Sequence, residues 1–250
     1  MRRRDFLLAS VPLALTAAGA RAIGPRSEVG VGRLKHGGAW DARPEALRRL
    51  LWEVGKRTSI AAARDAAVVA LDDDTAEGRE LFWQPLVVLA GEGELPPFTA
   101  RQRARLERHL RYGGTLLVDA PSPADPFVAG AKRELSAILP GTTLRALDAE
   151  HVIFKSFYLL DGAVGRTRDD RHLYGIDVAG RAAVVLSTND LLGALERDRF
   201  GTWRYDCEPD GEAQRELAFR LGVNLVMYAT CLDYKEDQVH IPFIMKKKRR

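Results

Sequence analysis

Pro85-Leu86-Val87-Val88-Leu89-Ala90-Gly91 is an unbroken apolar run closed by glycine, and Gly113-Gly114-Thr115-Leu116-Leu117-Val118-Asp119 repeats the pattern one helix-length later. Strands buried on both faces of a parallel sheet carry such continuous runs, whereas half-exposed strands alternate. Between the two runs, Thr99 and Gln102 have capping-box spacing, which predicts a helix through Tyr112 that Gly113-Gly114 stops. A third run, Ala182-Ala183-Val184-Val185-Leu186-Ser187, ends at Thr188-Asn189-Asp190. Strands separated by helices need right-handed crossovers, and these build an open, mostly parallel, doubly wound α/β sheet.

Working outward, residues 28–34 read as a short alternating strand. Trp40-Asp41 and Pro44 then open a helix, with proline near the first helical position. Leu47, Leu50, Leu51 and Val54 recur at i, i+3, i+4 and i+7, one apolar stripe facing a core. A second strand fits either residues 59–62 or 68–71. Helices are expected over 126–138 and 212–230, with Asn224 a buried, hydrogen-bonded amide and Gly222 allowing close helix–sheet packing. Arg101, Arg105 and Arg108 fall on one helix face and read as solvated. Residues 140–181 are charged and aperiodic, an insertion or small hairpins within a single domain spanning 23–232.

The 250 residues are 46% apolar and 29% charged, ordinary globular composition that argues against disorder. The net charge of +4 resides at the ends: residues 1–22 contribute +3 and Lys246-Lys247-Lys248-Arg249-Arg250 contribute +5, leaving −4 for residues 23–245. A domain without a basic excess is not expected to take nucleic acid as a partner. Two cysteines make neither a disulfide framework nor a four-cysteine metal site. Cys207 and Cys231 flank the last predicted helix, whose ends stand roughly 25–30 Å apart. A disulfide needs Cα atoms within about 7 Å, so no internal bridge is expected.

Arg3-Arg4-Asp5-Phe6-Leu7 has the form of a twin-arginine export motif, followed by a moderately apolar stretch and by Ala20-Arg21-Ala22. Ala20 and Ala22 supply the small residues a signal peptidase accepts, so residues 1–22 read as a cleaved signal and the protein as periplasmic or secreted. A retained amphipathic anchor is the alternative. At the other end, residues 233–250 run from a polar stretch to Val239, Ile241, Phe243 and Ile244, then to the basic tail. Those apolar residues are expected to pack on the domain or on a protein partner, leaving the tail for peripheral contact with an anionic membrane.

Trp40-Asp41 with Pro44, the strand ending Ala90-Gly91, the 113–119 run, Ser187-Thr188-Asn189-Asp190 and Arg220-Leu221-Gly222-Val223-Asn224 occur in an order that resembles the bacterial domain-of-unknown-function family 4159. The resemblance covers nearly all of the chain after the signal. It implies a flavodoxin-like sheet similar to class I glutamine amidotransferases, and no established activity. The amidotransferase nucleophile is absent: no cysteine stands near Gly91 or Asp119, and no Gly-x-Ser-x-Gly elbow replaces it.

Ligands of open α/β sheets bind beyond the carboxyl ends of the strands. Gly91, Glu92, Gly93, Asp119, Asn189 and Asp190 each follow a predicted central strand, so they are the candidate ligand-binding rim. Asp119, Asp190 and His151 are the candidate catalytic groups, the two carboxyls as an acid–base pair. The competing reading makes each aspartate a cap on the next turn or helix. His36, just after the first strand, is the other histidine expected near the rim. No histidine or carboxylate spacing signals a metal, and no motif signals a cofactor. The residues favour a non-catalytic binding or scaffold domain; the alternative is a periplasmic hydrolase of a carbohydrate or amide.

Overall fold

The computed structural model describes residues 28–72 and 75–231; the export motif and the C-terminal extension lie outside them. Seven strands form one sheet: β1 (Val31–Leu34), β2 (Ala67–Val69), β3 (Leu86–Ala90), β4 (Thr115–Asp119), β5 (Arg145–Ala146), β6 (Tyr174–Val178) and β7 (Arg181–Ser187). Their spatial order is β2-β1-β3-β4-β7-β6-β5. The first five in that order are parallel, and β6 and β5 continue antiparallel. The parallel part has the flavodoxin-like order, with its direction of winding reversing between β1 and β3.

Helices α1 (Ala46–Arg57), α5 (Leu191–Leu195) and α6 (Gly211–Thr230) cover one face, packing with Val31, Val88, Leu117 and Val185. Helices α3 (Ala100–Arg111) and α4 (Pro126–Ile138) cover the other with Val87, Leu89, Leu116 and Val118; short α2 (Ala76–Glu80) precedes β3. Successive residues of β3 and β4 therefore feed opposite cores, which is why those runs contain no polar alternation. In α1 the stripe Leu47, Leu50, Leu51 and Val54 is buried as expected. Each such side chain contributes roughly 1.5–3 kcal/mol relative to exposure.

The α3 capping box is formed, with Thr99 Oγ1 accepting from the Gln102 amide and the Gln102 side chain accepting from the Thr99 amide. Asn224 is fully buried: its Oδ1 accepts from the Phe157 and Tyr158 amides and its Nδ2 donates to the Tyr158 carbonyl. Both cysteines are free, at either end of an intact α6. None of the described helices is long and apolar enough to cross a membrane.

Four details differ from the sequence expectations, and a fifth decides between two of them. Helix α1 starts at Ala46 with Glu45 as its cap, so Pro44 stands two residues before the first helical position; the Glu196 carboxylate accepts from the Glu45 amide there. Of the two positions open for the second strand the later holds, with β2 at 67–69, while Ala62 in the earlier one makes only a separate bridge to Val29. Gly222 faces a helix, not the sheet: a Cβ there would stand 2.7 Å from Leu50 of α1. Arg105 is not a free surface cation, since its Nη2 donates to the Gly78 carbonyl and its guanidinium covers the Phe82 ring. Within 140–181, β6 pairs antiparallel with β7 and so belongs to the main sheet.

The β6–β7 turn has two residues, Ala179 and Gly180, with φ of 51° and 77°. Two positive φ values are the type I′ geometry that matches strand twist, but alanine is strained there. Ala179→Gly is expected to raise stability by about 0.5–1 kcal/mol, read from the midpoint of chemical denaturation. No gain would mean that the turn relaxes in solution.

Candidate functional site

At a winding reversal, the crevice between the two diverging strands is where an open α/β sheet takes its ligand. Here that crevice is occupied by the protein itself. His36, two residues past β1, donates from Nε2 to the Ala90 carbonyl at the end of β3 (3.0 Å) and accepts at Nδ1 from the Gly38 amide (3.0 Å). These partners select the neutral tautomer, and burial lowers the pKa of the ring from its usual value, opposed by the Ala90 bond. Phe127 at the start of α4 packs beside the imidazole, 5.8 Å between ring centroids. Gly91 is required by this packing: a Cβ would stand 2.6 Å from the Phe127 ring and 3.1 Å from His36 Nε2.

Asp119 ends β4 and is 3% exposed. Its two oxygens accept from the Leu191 and Leu192 amides, 3.0 and 2.8 Å away, so it caps α5 from the neighbouring strand. Burial pushes its pKa up to about 7, helped by the Asp190 charge and opposed by the two amides. Asp190 sits in the left-handed region at φ 53° and accepts from the Gly193 amide, capping the same helix from within. Arg166 Nε at 2.5 Å and Arg43 Nη2 at 3.4 Å clamp the Asp190 carboxylate, and Arg43 also reaches Glu92 at 3.3 Å. Arg43 and Arg166 both lie over the Tyr205 ring, at 4.7 and 5.8 Å respectively. Asp190, paired with two guanidiniums, and Asp119, accepting from two amides, have the surroundings of helix caps.

The rim residues thus divide. Gly91, Asp119 and Asp190 line one small cleft together with Trp40, Arg43 and Pro121, and the free volume there is about 10 Å³, room for about one water. Glu92 reaches that cleft only through Arg43. Gly93, at φ 75°, turns away and donates its amide to Asp125. Asn189 faces the opposite side, where its amide exchanges bonds with the Asp170 backbone. His151 does not join Asp119 and Asp190. It caps the 3-10 turn Val152–Lys155 and packs against Tyr228, whose hydroxyl accepts from the Ala182 amide at the amino end of β7, the far end of the sheet. No group of three or more candidate metal ligands occurs among the described residues.

A far roomier concavity lies on the α1 face, a groove of about 1370 Å³ between the outer side of α1 and the segment 196–204. The sequence reading did not single out its residues. The signals were Arg48, Trp52 and Lys56 at i, i+4 and i+8 opposite the apolar stripe, and Arg197-Asp198-Arg199-Phe200-Gly201-Thr202-Trp203-Arg204. What no spacing could supply is their meeting across more than 140 positions of chain.

No curated protein matches the chain. A family model described as Domain of unknown function (DUF4159) matches residues 30–230, the span that holds the whole sheet, the plugged crevice and the groove. By sequence and by the extent of that match, this chain belongs to the DUF4159 family.

Proposed function

We propose that the protein is an exported, non-catalytic binding or scaffold domain that meets its ligand on the α1 face. The observation carrying this reading is the state of the strand-end crevice, where His36, Phe127 and the Arg43–Asp190 pair fill the position a substrate would need. Asp119 and Asp190 are committed to holding α5, and the volume beside them is about one water. A hydrolase needs a reacting atom within hydrogen-bond reach of its acid and base. That favours binding over hydrolysis. Catalytic turnover of a carbohydrate or amide that is abolished in folded Asp119→Asn would overturn the proposal.

Export rests on the residues of the leader: Arg3, Arg4, Phe6, Leu7, Ala20 and Ala22. Because the export receptor reads paired guanidiniums and not charge alone, Arg3→Lys with Arg4→Lys is expected to leave the precursor in the cytoplasm. Cell fractionation and immunoblotting read the outcome, and normal export of the double variant would remove the twin-arginine assignment. The C-terminal extension, apolar then basic, is a second place for a protein partner or an anionic membrane surface.

A further inference from the structure

The groove on the α1 face is built from cations and aromatic rings. Arg48, Trp52 and Lys56 follow one another on the outer stripe of α1, and Arg64 continues the line beyond the helix. Arg197, Arg199 and Arg204 form the facing wall with Phe200. Trp52 is 49% exposed and Phe200 77% exposed, unusual for rings of this size outside an interface.

Three carboxylates also lie in the groove, each with a partner in the fold. Asp198 accepts from the Phe200 and Thr202 amides and holds the turn. Glu196 is buried and accepts from the Glu45 amide, while the Glu45 side chain pairs with Arg48. Seven lysine and arginine side chains line the groove against these three carboxylates, so it is net positive on a domain whose residues 23–245 carry −4. Trp52 is pre-positioned, with Arg49 4.1 Å and Lys56 4.6 Å from its ring centre. The opposite wall is stiffened by Trp203, held between the guanidiniums of Arg197 at 4.0 Å and Arg215 at 4.4 Å.

We propose that this groove binds an extended acidic peptide segment of a partner protein, with an aromatic or aliphatic anchor flanked by carboxylates. The proposal deepens the binding reading above and rests on it. Spacing argues for a peptide and not a single small anion. Arg48 and Lys56 are eight residues apart, about 12 Å along a helix axis, with Trp52 midway. In an extended chain, residues i and i+4 lie about 13 Å apart on one face, with i+2 between them. Acid, anchor, acid at i, i+2 and i+4 thus matches Arg48, Trp52, Lys56. Charge argues against nucleic acid, because Glu45, Glu196 and Asp198 interrupt the path a continuous phosphate backbone would follow. Arg48 is available to such a ligand because its pairing with Glu45 is solvent-exposed and hence weak.

The test uses the purified full chain and a labelled pentapeptide, acetyl-Glu-Ser-Phe-Ser-Glu-amide, followed by fluorescence anisotropy. Its isomer Ser-Glu-Phe-Glu-Ser places the carboxylates on the other face and is the register control. Expected results are saturable binding of the first peptide, at least about tenfold weaker binding of the isomer, and weakening as salt rises. Trp52→Ala and the exposed double reversal Lys56→Glu with Arg64→Glu should each cost about tenfold or more, with circular dichroism unchanged. Equal binding of both peptides, absence of binding, or indifference to the double reversal would each overturn the proposal. So would tighter binding of a dT hexamer, which would make the groove a nucleic-acid site. Asp119→Asn should leave peptide affinity unchanged. A failed groove therefore leaves the plugged crevice as it stands, and turnover dependent on Asp119 would refute the non-catalytic reading without touching the groove.

Discussion

Arg215→Ala is expected to destabilise the domain by about 3–5 kcal/mol, among the largest effects of any single substitution among the described residues. Arg215 is 2% exposed on α6, and each of its three guanidinium nitrogens has an acceptor. Nη1 donates to the Ala194 carbonyl at 2.6 Å, Nη2 to the Tyr205 carbonyl at 2.8 Å, and Nε to Glu212 at 2.8 Å. One face lies against Trp203. Alanine would leave two carbonyls short of a donor, open a void beneath the indole, and detach the 196–205 segment from α6. Arg215→Lys keeps the charge but offers no planar fork, so it should recover only part of the loss. Denaturant melts of the three proteins decide the matter. A cost below about 1 kcal/mol for Arg215→Ala would mean that the buried guanidinium does not anchor the segment.

The second large effect is a pH dependence carried by Asp119. Its pKa is pushed up to about 7 in the folded protein, mainly by burial, against an ordinary unfolded value near 3.9. Between these two values the native state holds a proton that the unfolded chain has released. Stability from this group is therefore fully present below about pH 4, declines as pH rises, and is lost above about pH 7, amounting to at most about 4 kcal/mol. Asp119→Asn cannot titrate. It keeps one acceptor for the Leu191 and Leu192 amides and sets its NH₂ against the other, a pH-independent cost of about 1–3 kcal/mol. Subtracting the two stability curves cancels Glu134, Glu216 and the other titrating groups. The difference should slope between pH 4 and 7, with the wild type losing its advantage as pH increases. A flat difference would show that Asp119 is ionised throughout.

The parts of the fold legible in the sequence are those set by local rules. Continuous apolar runs mark β3, β4 and β7 because a strand sandwiched between helices has no wet face, and α3 and α4 carry their own start signals in Thr99 and Pro126. Helix α5 was hidden because five residues, Leu191-Leu192-Gly193-Ala194-Leu195, are too few to display a period and all are buried. Its caps are plain only once β4 and β7 are neighbours, which puts Asp119 under Leu191 and Leu192. Strand β6 alternates correctly in Tyr174-Gly175-Ile176-Asp177-Val178, but Ala179-Gly180 lacks the Asn-Gly signature of its turn. The rim was legible as a place. That it is closed was not, because the plugs come from far away: Arg43 meets Asp190 across 147 positions and His36 meets Ala90 across 54.

The two borders of the sheet bear on how the molecule behaves when concentrated. One border is β5, only Arg145 and Ala146, and the other is β2, only three residues long. A strand that short offers too few open amides to template a neighbour, and an exposed arginine further discourages stacking. Self-association through strand addition, the usual route from a crowded solution to fibrils, is thus disfavoured at both margins. In concentrated samples, clumping through strand addition should therefore appear only as the fold is lost.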